Sequence, residues 1–228
     1  MLGLLKYNYK VYIKTNKFLI YTLLFVVSII FYNNSTNLKY NDSISFSMNI
    51  LFIIMVLIGY KYSMLQDLRT EQIIYLKVSN SFKYWFSKII FIISISFCLV
   101  LVGTILSFIF VCMDGGSVSL YENCTAFILQ LVIGSIGGIL GLFFNNNLKI
   151  KKNYSIMILS VIVLLSELKT YILMEWSYLK IFRYIIPPIN EIVIAYNNGN
   201  IISITIFAII YMLLGMLLYI GINMKRLF

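Results

Sequence analysis

The chain contains no histidine, and that absence removes whole classes of chemistry. Serine triads that rely on His, HExxH zinc sites and His-based proton relays cannot be assembled from it. It also lacks a GxxxxGK[ST] phosphate loop, so it does not hydrolyse ATP by that route. Its three cysteines, Cys98, Cys112 and Cys124, show no CxxC spacing and read as unpaired small apolar residues, with a Cys112–Cys124 bridge across an outer loop as the alternative. Charge is scarce: 11% of residues are charged, against roughly 25% in an average soluble domain. What fills the space is apolar, at 61% of residues and a mean hydropathy of +0.93, so the chain needs lipid as its solvent. Asn34, Asn41 and Asn123 open N-x-[ST] patterns that a chain so rich in Asn and Ser produces by chance.

The few charges are arranged. Fourteen basic residues (Lys6, Lys10, Lys14, Lys17, Lys61, Arg69, Lys77, Lys83, Lys88, Lys149, Lys151, Lys152, Lys225, Arg226) fall at the two ends or in the second and fourth connections between six apolar runs. Only Lys39, Lys169, Lys180 and Arg183 fall in the other three. Cationic loops are retained on the cytoplasmic side during insertion, so this alternation predicts an all-α membrane protein of six spans with both termini inside. The net charge of +10 is thereby assigned to topology and anionic headgroups, not to nucleic acid.

A transmembrane helix needs about 20 mostly apolar residues. The spans are expected near 18–32, 46–60, 89–113, 126–144, 154–173 and 201–222, in a single transmembrane domain covering 1–228. A basic region before an apolar run also fits a signal peptide, but Phe31-Tyr32-Asn33-Asn34 is too bulky for a cleavage site. Within 1–17, Lys6, Lys10, Lys14 and Lys17 recur at helical spacing beside an arc of Leu2, Leu5, Tyr9, Tyr12 and Ile13, the pattern of a basic amphipathic helix in the membrane surface. The fourth span carries Gly134, Gly137, Gly138 and Gly141, overlapping GxxxG patterns that let helix backbones approach closely in lipid, inside the bundle or at a subunit contact.

Two connections are too long to be turns. Residues 61–88 read as an extension of the second span, a short transverse helix along Leu65, Leu68, Gln72, Tyr75 and Leu76, a break at Ser79-Asn80, and a lead-in with Phe82, Trp85 and Phe86 at headgroup depth. The charged residues Asp67, Arg69 and Glu71 read either as solvated loop residues or as the rim of a docking surface whose apolar centre is Ile73, Ile74 and Leu76. Residues 169–200, outside, keep a helical period through Trp176 and Phe182, stop at Pro187-Pro188 and resume as a short apolar piece. Such a segment is too apolar for water, and it is expected to dip back into the outer leaflet or cover the mouth of the bundle. Glu167 is the one acid placed inside a span, near its outer end, where it either faces a pathway or simply reaches outer water.

At this point the chain resembles a permease subunit of the ABC-2 exporter family. The resemblance is carried by DLRTEQIIYLKVSNSFKYWFSK: a polar cluster at Asp67 to Glu71, an apolar helix at Ile73 to Leu76, a turn at Ser79-Asn80, aromatics at Tyr84 to Phe86, and Lys88. It lacks the glycine often found after the polar cluster and has one proline pair outside, which with its length is most similar to small permeases of Gram-positive bacteria serving bacteriocin or lantibiotic export and immunity. The resemblance implies an elbow helix at 1–17, a coupling helix in 61–88, and a location in the bacterial plasma membrane. It implies a separate ABC ATP-binding subunit that holds ATP and Mg, with no cofactor on this chain, and a second permease as a copy or a related chain. Glu167, Trp176, Phe182, Pro187 and Pro188 would then form an outer gate region. The alternatives are an immunity or scaffold protein that does not transport and the substrate-binding membrane subunit of a vitamin importer. A membrane enzyme is disfavoured by the missing His and the lack of clustered acids in the spans.

Overall fold

A computed structural model describes residues 1–34, 39–65, 68–78, 80–144, 152–175, 185–199 and 201–226. Among them every regular element is helical: α1 (Leu2–Ile13), α2 (Lys17–Asn33), α3 (Tyr40–Ser63), α4 (Leu68–Lys77), α5 (Ser81–Met113), α6 (Leu120–Phe143), α7 (Lys152–Glu175), α8 (Ile189–Asn197) and α9 (Ile201–Arg226). Five are long and apolar enough to cross a membrane, and α1 with α2, bent by 74° between them, raises the number to six. The bend falls where Asn16 adopts a left-handed backbone conformation, φ 51°, which short polar side chains tolerate better than most.

Helix α3 and helix α6 form the spine. Their contact is a matter of missing side chains: a Cβ on Gly59 would overlap the Gly138 carbonyl oxygen, and one on Gly137 would lie 2.7 Å from the Phe52 carbonyl oxygen. With no Cβ in the way, the two backbones pack directly, the arrangement that drives association where lipid offers no hydrophobic gain. Helix α5 closes on this pair, Ser96 Oγ filling the space where a Gly134 side chain would stand. Polar side chains bond across these contacts, Gln130 Nε2 donating to Ser47 Oγ at 2.6 Å and Ser43 Oγ to Ser107 Oγ at 2.8 Å, so these two donors are satisfied without water.

The 33 residues of α5 run about 50 Å, well beyond the roughly 30 Å hydrocarbon core. Its first turns form a platform at one end of the bundle. There α1 lies against it, Asn8 Nδ2 donating to Ser87 Oγ at 3.3 Å and Tyr12 meeting Phe91 edge-on at 5.6 Å. The same end receives α9, since Trp85 and Tyr219 pack at 5.9 Å, and α6, through Phe143 and Tyr219 at 5.6 Å. Here it is called the near end. The far end carries α8, tied to α3 by Ser45 Oγ and Asn197 Oδ1 at 3.0 Å.

Two sequence expectations change at the near end. The amphipathic helix at the N-terminus exposes Lys6, Lys10, Lys14, Leu2 and Ile13, but it buries Asn8 and Tyr12 against protein, so it is docked as well as amphipathic. The aromatic lead-in is the opening of α5 itself, capped by Asn80, whose side chain accepts from the Phe82 N–H at 2.9 Å. Tyr84 and Trp85 are buried, and Phe82 alone of the aromatics 82, 84 and 85 stays exposed.

Candidate functional site

Helix α4 has two faces because its apolar and polar residues alternate at helical spacing. The inward face sets Ile74, Tyr75 and the following Val78 against the core, with Tyr75 edge-on to Tyr84 at 6.2 Å. Glu71 also points inward. It is 4% exposed, and Lys88 Nζ, from the second turn-pair of α5, donates to its Oε1 at 2.5 Å. The same ammonium sits over the Tyr84 and Trp85 rings, 4.8 and 4.7 Å from their centroids. A lysine so enclosed keeps its charge favourably only if carboxylate and ring faces replace its water. Burial, and to a smaller extent the Glu71 carboxylate, holds the Tyr7 hydroxyl of α1 above the usual tyrosine range, so it stays neutral.

The outward face of α4 is apolar and open. Ile73 is 57% exposed and Leu76 84%, and Gln72 and Lys77 flank them. Of the predicted docking residues the structure therefore separates two groups: Ile73 and Leu76 face out, whereas Ile74 is half-buried and Glu71 is the root that fixes α4 to α5. Glu71 is therefore neither solvated nor an exposed rim residue among the described residues, since its side chain is buried against Lys88. Asp67 lies outside the described residues, as does the side chain of Arg69.

The far end holds a second polar constellation that sequence reasoning missed. Lys169 of α7 is 1% exposed; its Nζ donates to the Ile186 carbonyl at 3.0 Å and pairs with Glu191 Oε2 of α8 at 3.3 Å. Asn190 Nδ2 donates to the Glu167 carbonyl at 2.7 Å and to Thr170 Oγ1 at 2.6 Å. Tyr211 of α9 donates its hydroxyl to the Ile185 carbonyl at 2.8 Å. These bonds matter because 185–188 is irregular backbone. Tyr211 stands about 15 Å along α9, among its middle turns, so Ile185 reaches well into the apolar layer. Non-helical carbonyls are tolerated at such depth only when protein supplies donors. Pro187 and Pro188 are buried beside Ile189 and Ile192, so the turn is packed as well as bonded. Glu167 and the proline pair thus do come together, through partners read from sequence as loop residues; Trp176 and Phe182 lie outside the described residues. The available signal was a lysine flanked by Glu167 and Glu191 around an apolar run. Replacing Tyr211 with Phe should orphan the Ile185 carbonyl and cost about 1–3 kcal/mol, read as a lowered unfolding temperature in mild detergent.

Between α6 and α9 a cleft of about 370 Å³ opens, walled by Ile139, Phe143, Leu214 and Leu218 and roofed by Ile185. Gly215 widens it: a Cβ there would make only ordinary contact, 3.6 Å from Ile139 Cγ2. Among the described residues no group of three His, Cys, Asp or Glu could hold a metal ion, and Cys98, Cys112 and Cys124 are unpaired. Among the described residues the geometry shows an open apolar face on α4, two ion pairs with buried lysines and an apolar cleft.

The chain is a multi-helix protein of membrane-spanning character. Comparison with protein-family models, with characterised proteins and with solved structures returned no match.

Proposed function

We propose that the chain is the membrane-spanning permease subunit of an ATP-driven exporter of the ABC-2 type. The observation that carries the reading is α4: a helix fastened at its root by the Glu71–Lys88 pair and presenting Ile73 and Leu76, which none of the described residues covers. A loop that merely joined two spans would gain nothing from a buried ion pair or an open apolar face. On this reading the membrane is a bacterial plasma membrane, and the excess of basic residues at the two ends and in the second and fourth connections supports a cytoplasmic position for that face, with both termini on the same side. There it meets a separate ATP-binding subunit that holds ATP and Mg.

The internal path for force is short. Helix α4 bears on Tyr84 and Lys88 of α5, Trp85 of α5 bears on Tyr219 of α9, and Tyr219 bears on Phe143 of α6. Closure of the ATP-binding subunits tilts these helices as a group, and a second permease, a copy or a related chain, completes the pathway. An apolar interior suits an amphipathic peptide of bacteriocin or lantibiotic type, or a lipid-like compound, better than an ion or a sugar.

The test uses Ile73→Asp with Leu76→Asp. Both side chains are exposed, so the variant is expected to reach the membrane in normal amounts and to lose at least tenfold of the ATP-binding subunit recovered with it, together with transport or protection. Full recovery and full activity would remove α4 from the coupling role. Recovery of no ATP-binding subunit even with the unaltered chain would favour a non-transporting immunity role.

A further inference from the structure

Helix α1 turns three different faces to its surroundings. At about 100° per residue, Asn8 and Tyr12 share one side, Tyr9, Leu2 and Ile13 the adjoining arc, and Lys6, Lys10 and Lys14 the arc beyond that. The first side is buried on α5, where Asn8 Nδ2 donates to Ser87 Oγ and Tyr12 meets Phe91. The second is exposed, with the Tyr9 hydroxyl at its edge donating to Ser94 Oγ. The three lysines are exposed as well, and no acidic side chain among the described residues forms an ion pair with them.

One environment satisfies both open faces. Leu2 and Ile13 need hydrocarbon, and a row of ammonium groups beside them needs anions at the boundary of that hydrocarbon. A membrane surface carrying anionic headgroups supplies both. A soluble acidic protein or a nucleic acid would meet the lysines and leave Leu2 and Ile13 in water. A neutral bilayer would cover the apolar arc and forgo the charge, although each lysine at an anionic surface gains about fivefold in affinity. By contrast the exposed Leu23 and Val27 of α2 have no basic residue within a turn on either side, and serve as ordinary lipid boundary.

The docked side gives lipid binding a consequence. Ser87, which accepts from Asn8, immediately precedes Lys88, which holds Glu71 of α4. The Tyr7 hydroxyl of α1 lies within the field of that same Glu71 carboxylate. Helices α1 and α4 therefore seat on adjoining turns of α5, the one at Ser87 and Phe91, the other at Tyr84 and Lys88. Whatever orders α1 there lowers the entropic cost of holding α4 beside it.

We propose that α1 binds anionic phospholipid headgroups through Lys6, Lys10 and Lys14, and that this binding steadies the root of α4 across the shared turns of α5. The inference does not rest on the transport reading, since it needs only that the chain lies in a membrane.

The experiment is hydrogen–deuterium exchange of the full chain in nanodiscs of phosphatidylglycerol or of phosphatidylcholine, read by mass spectrometry on peptides from α1, α4 and α8. In phosphatidylglycerol α1 and α4 are expected to exchange at least about threefold more slowly than in phosphatidylcholine, while α8, which holds no basic residue, exchanges alike in both. The triple variant Lys6→Gln, Lys10→Gln, Lys14→Gln should bring both helices to the phosphatidylcholine rate. Lys6→Arg, Lys10→Arg, Lys14→Arg should keep the slow one. All three side chains are exposed, so neither variant disturbs a buried contact. Equal exchange of α1 in the two lipids, or slowing that survives the Gln variant, would overturn the proposal. Slowing confined to α1 would break the link to α4 and overturn it too. So would polyglutamate that slows α1 in phosphatidylcholine discs as much as phosphatidylglycerol does, which would assign the lysines to a soluble acidic partner.

Discussion

Gly141→Ala is expected to destabilise the bundle by about 2 kcal/mol or more, whereas Gly215→Ala changes stability by less than about 0.5 kcal/mol. Both are single methyl additions on membrane helices. The difference lies in what each methyl meets. At Gly141 it would overlap the Val56 carbonyl oxygen and lie 2.6 Å from the Tyr60 backbone nitrogen, so no rotamer change relieves it and α3 must move off α6. Gly59 is held the same way by the Gly138 carbonyl. At Gly138 the obstacle is the Ile92 side chain with Met55 Cε at 3.1 Å, which can partly yield, so alanine there should cost less than at Gly141. Thermal unfolding of the purified variants in one detergent checks the order. Equal, small shifts at Gly141 and Gly215 would mean that α3 and α6 do not touch backbone to backbone.

The second large effect is at the root of α4. Removing one partner of a buried ion pair leaves an uncompensated charge, at a cost of about 3–5 kcal/mol, whereas replacing both with apolar residues of similar size is often neutral. The side chains of Lys88 and Glu71 are 3% and 5% exposed, so this rule applies with little solvent screening. Lys88→Met and Glu71→Leu should each lower the amount of folded protein strongly, and the double variant should recover most of it. Glu71→Lys, which sets two ammonium groups against one another, should be worse than either single change. Additive losses in the double variant would show that the two residues do not pair.

Five of the six expected spans were legible because a helix in lipid must be long and apolar throughout, a pattern that survives without tertiary information; the first, α2, reaches that length only together with the bent α1. The short transverse helix was legible too, from the period of Leu68, Gln72, Tyr75 and Leu76. What the sequence concealed was pairing. Glu71 and Lys88 are separated by 17 positions and share the stretch 67–88 with four other charged residues, Asp67, Arg69, Lys77 and Lys83, so each reads as solvated until the fold encloses them. Lys169 was concealed for the same reason, since a lysine near the end of a span ordinarily snorkels to water. The glycines Gly134, Gly137, Gly138 and Gly141 announced a close approach, but only the fold names α3 and α5 as the helices approached. The α6–α9 cleft had no sequence signal, because a cavity is defined by two helices that fail to fill the space between them.

The exporter reading stands on what covers Ile73 and Leu76. The direct measurement is to place a photo-crosslinking amino acid at Leu76, irradiate the chain in its native membranes, and identify the protein attached. The reading predicts one dominant adduct, with a polypeptide that carries an ATP-binding phosphate loop, formed at Leu76 and absent from a control with the same group at the lipid-facing Leu23. A Leu76 adduct only to lipid, or to no ATP-binding protein at all, would contradict it.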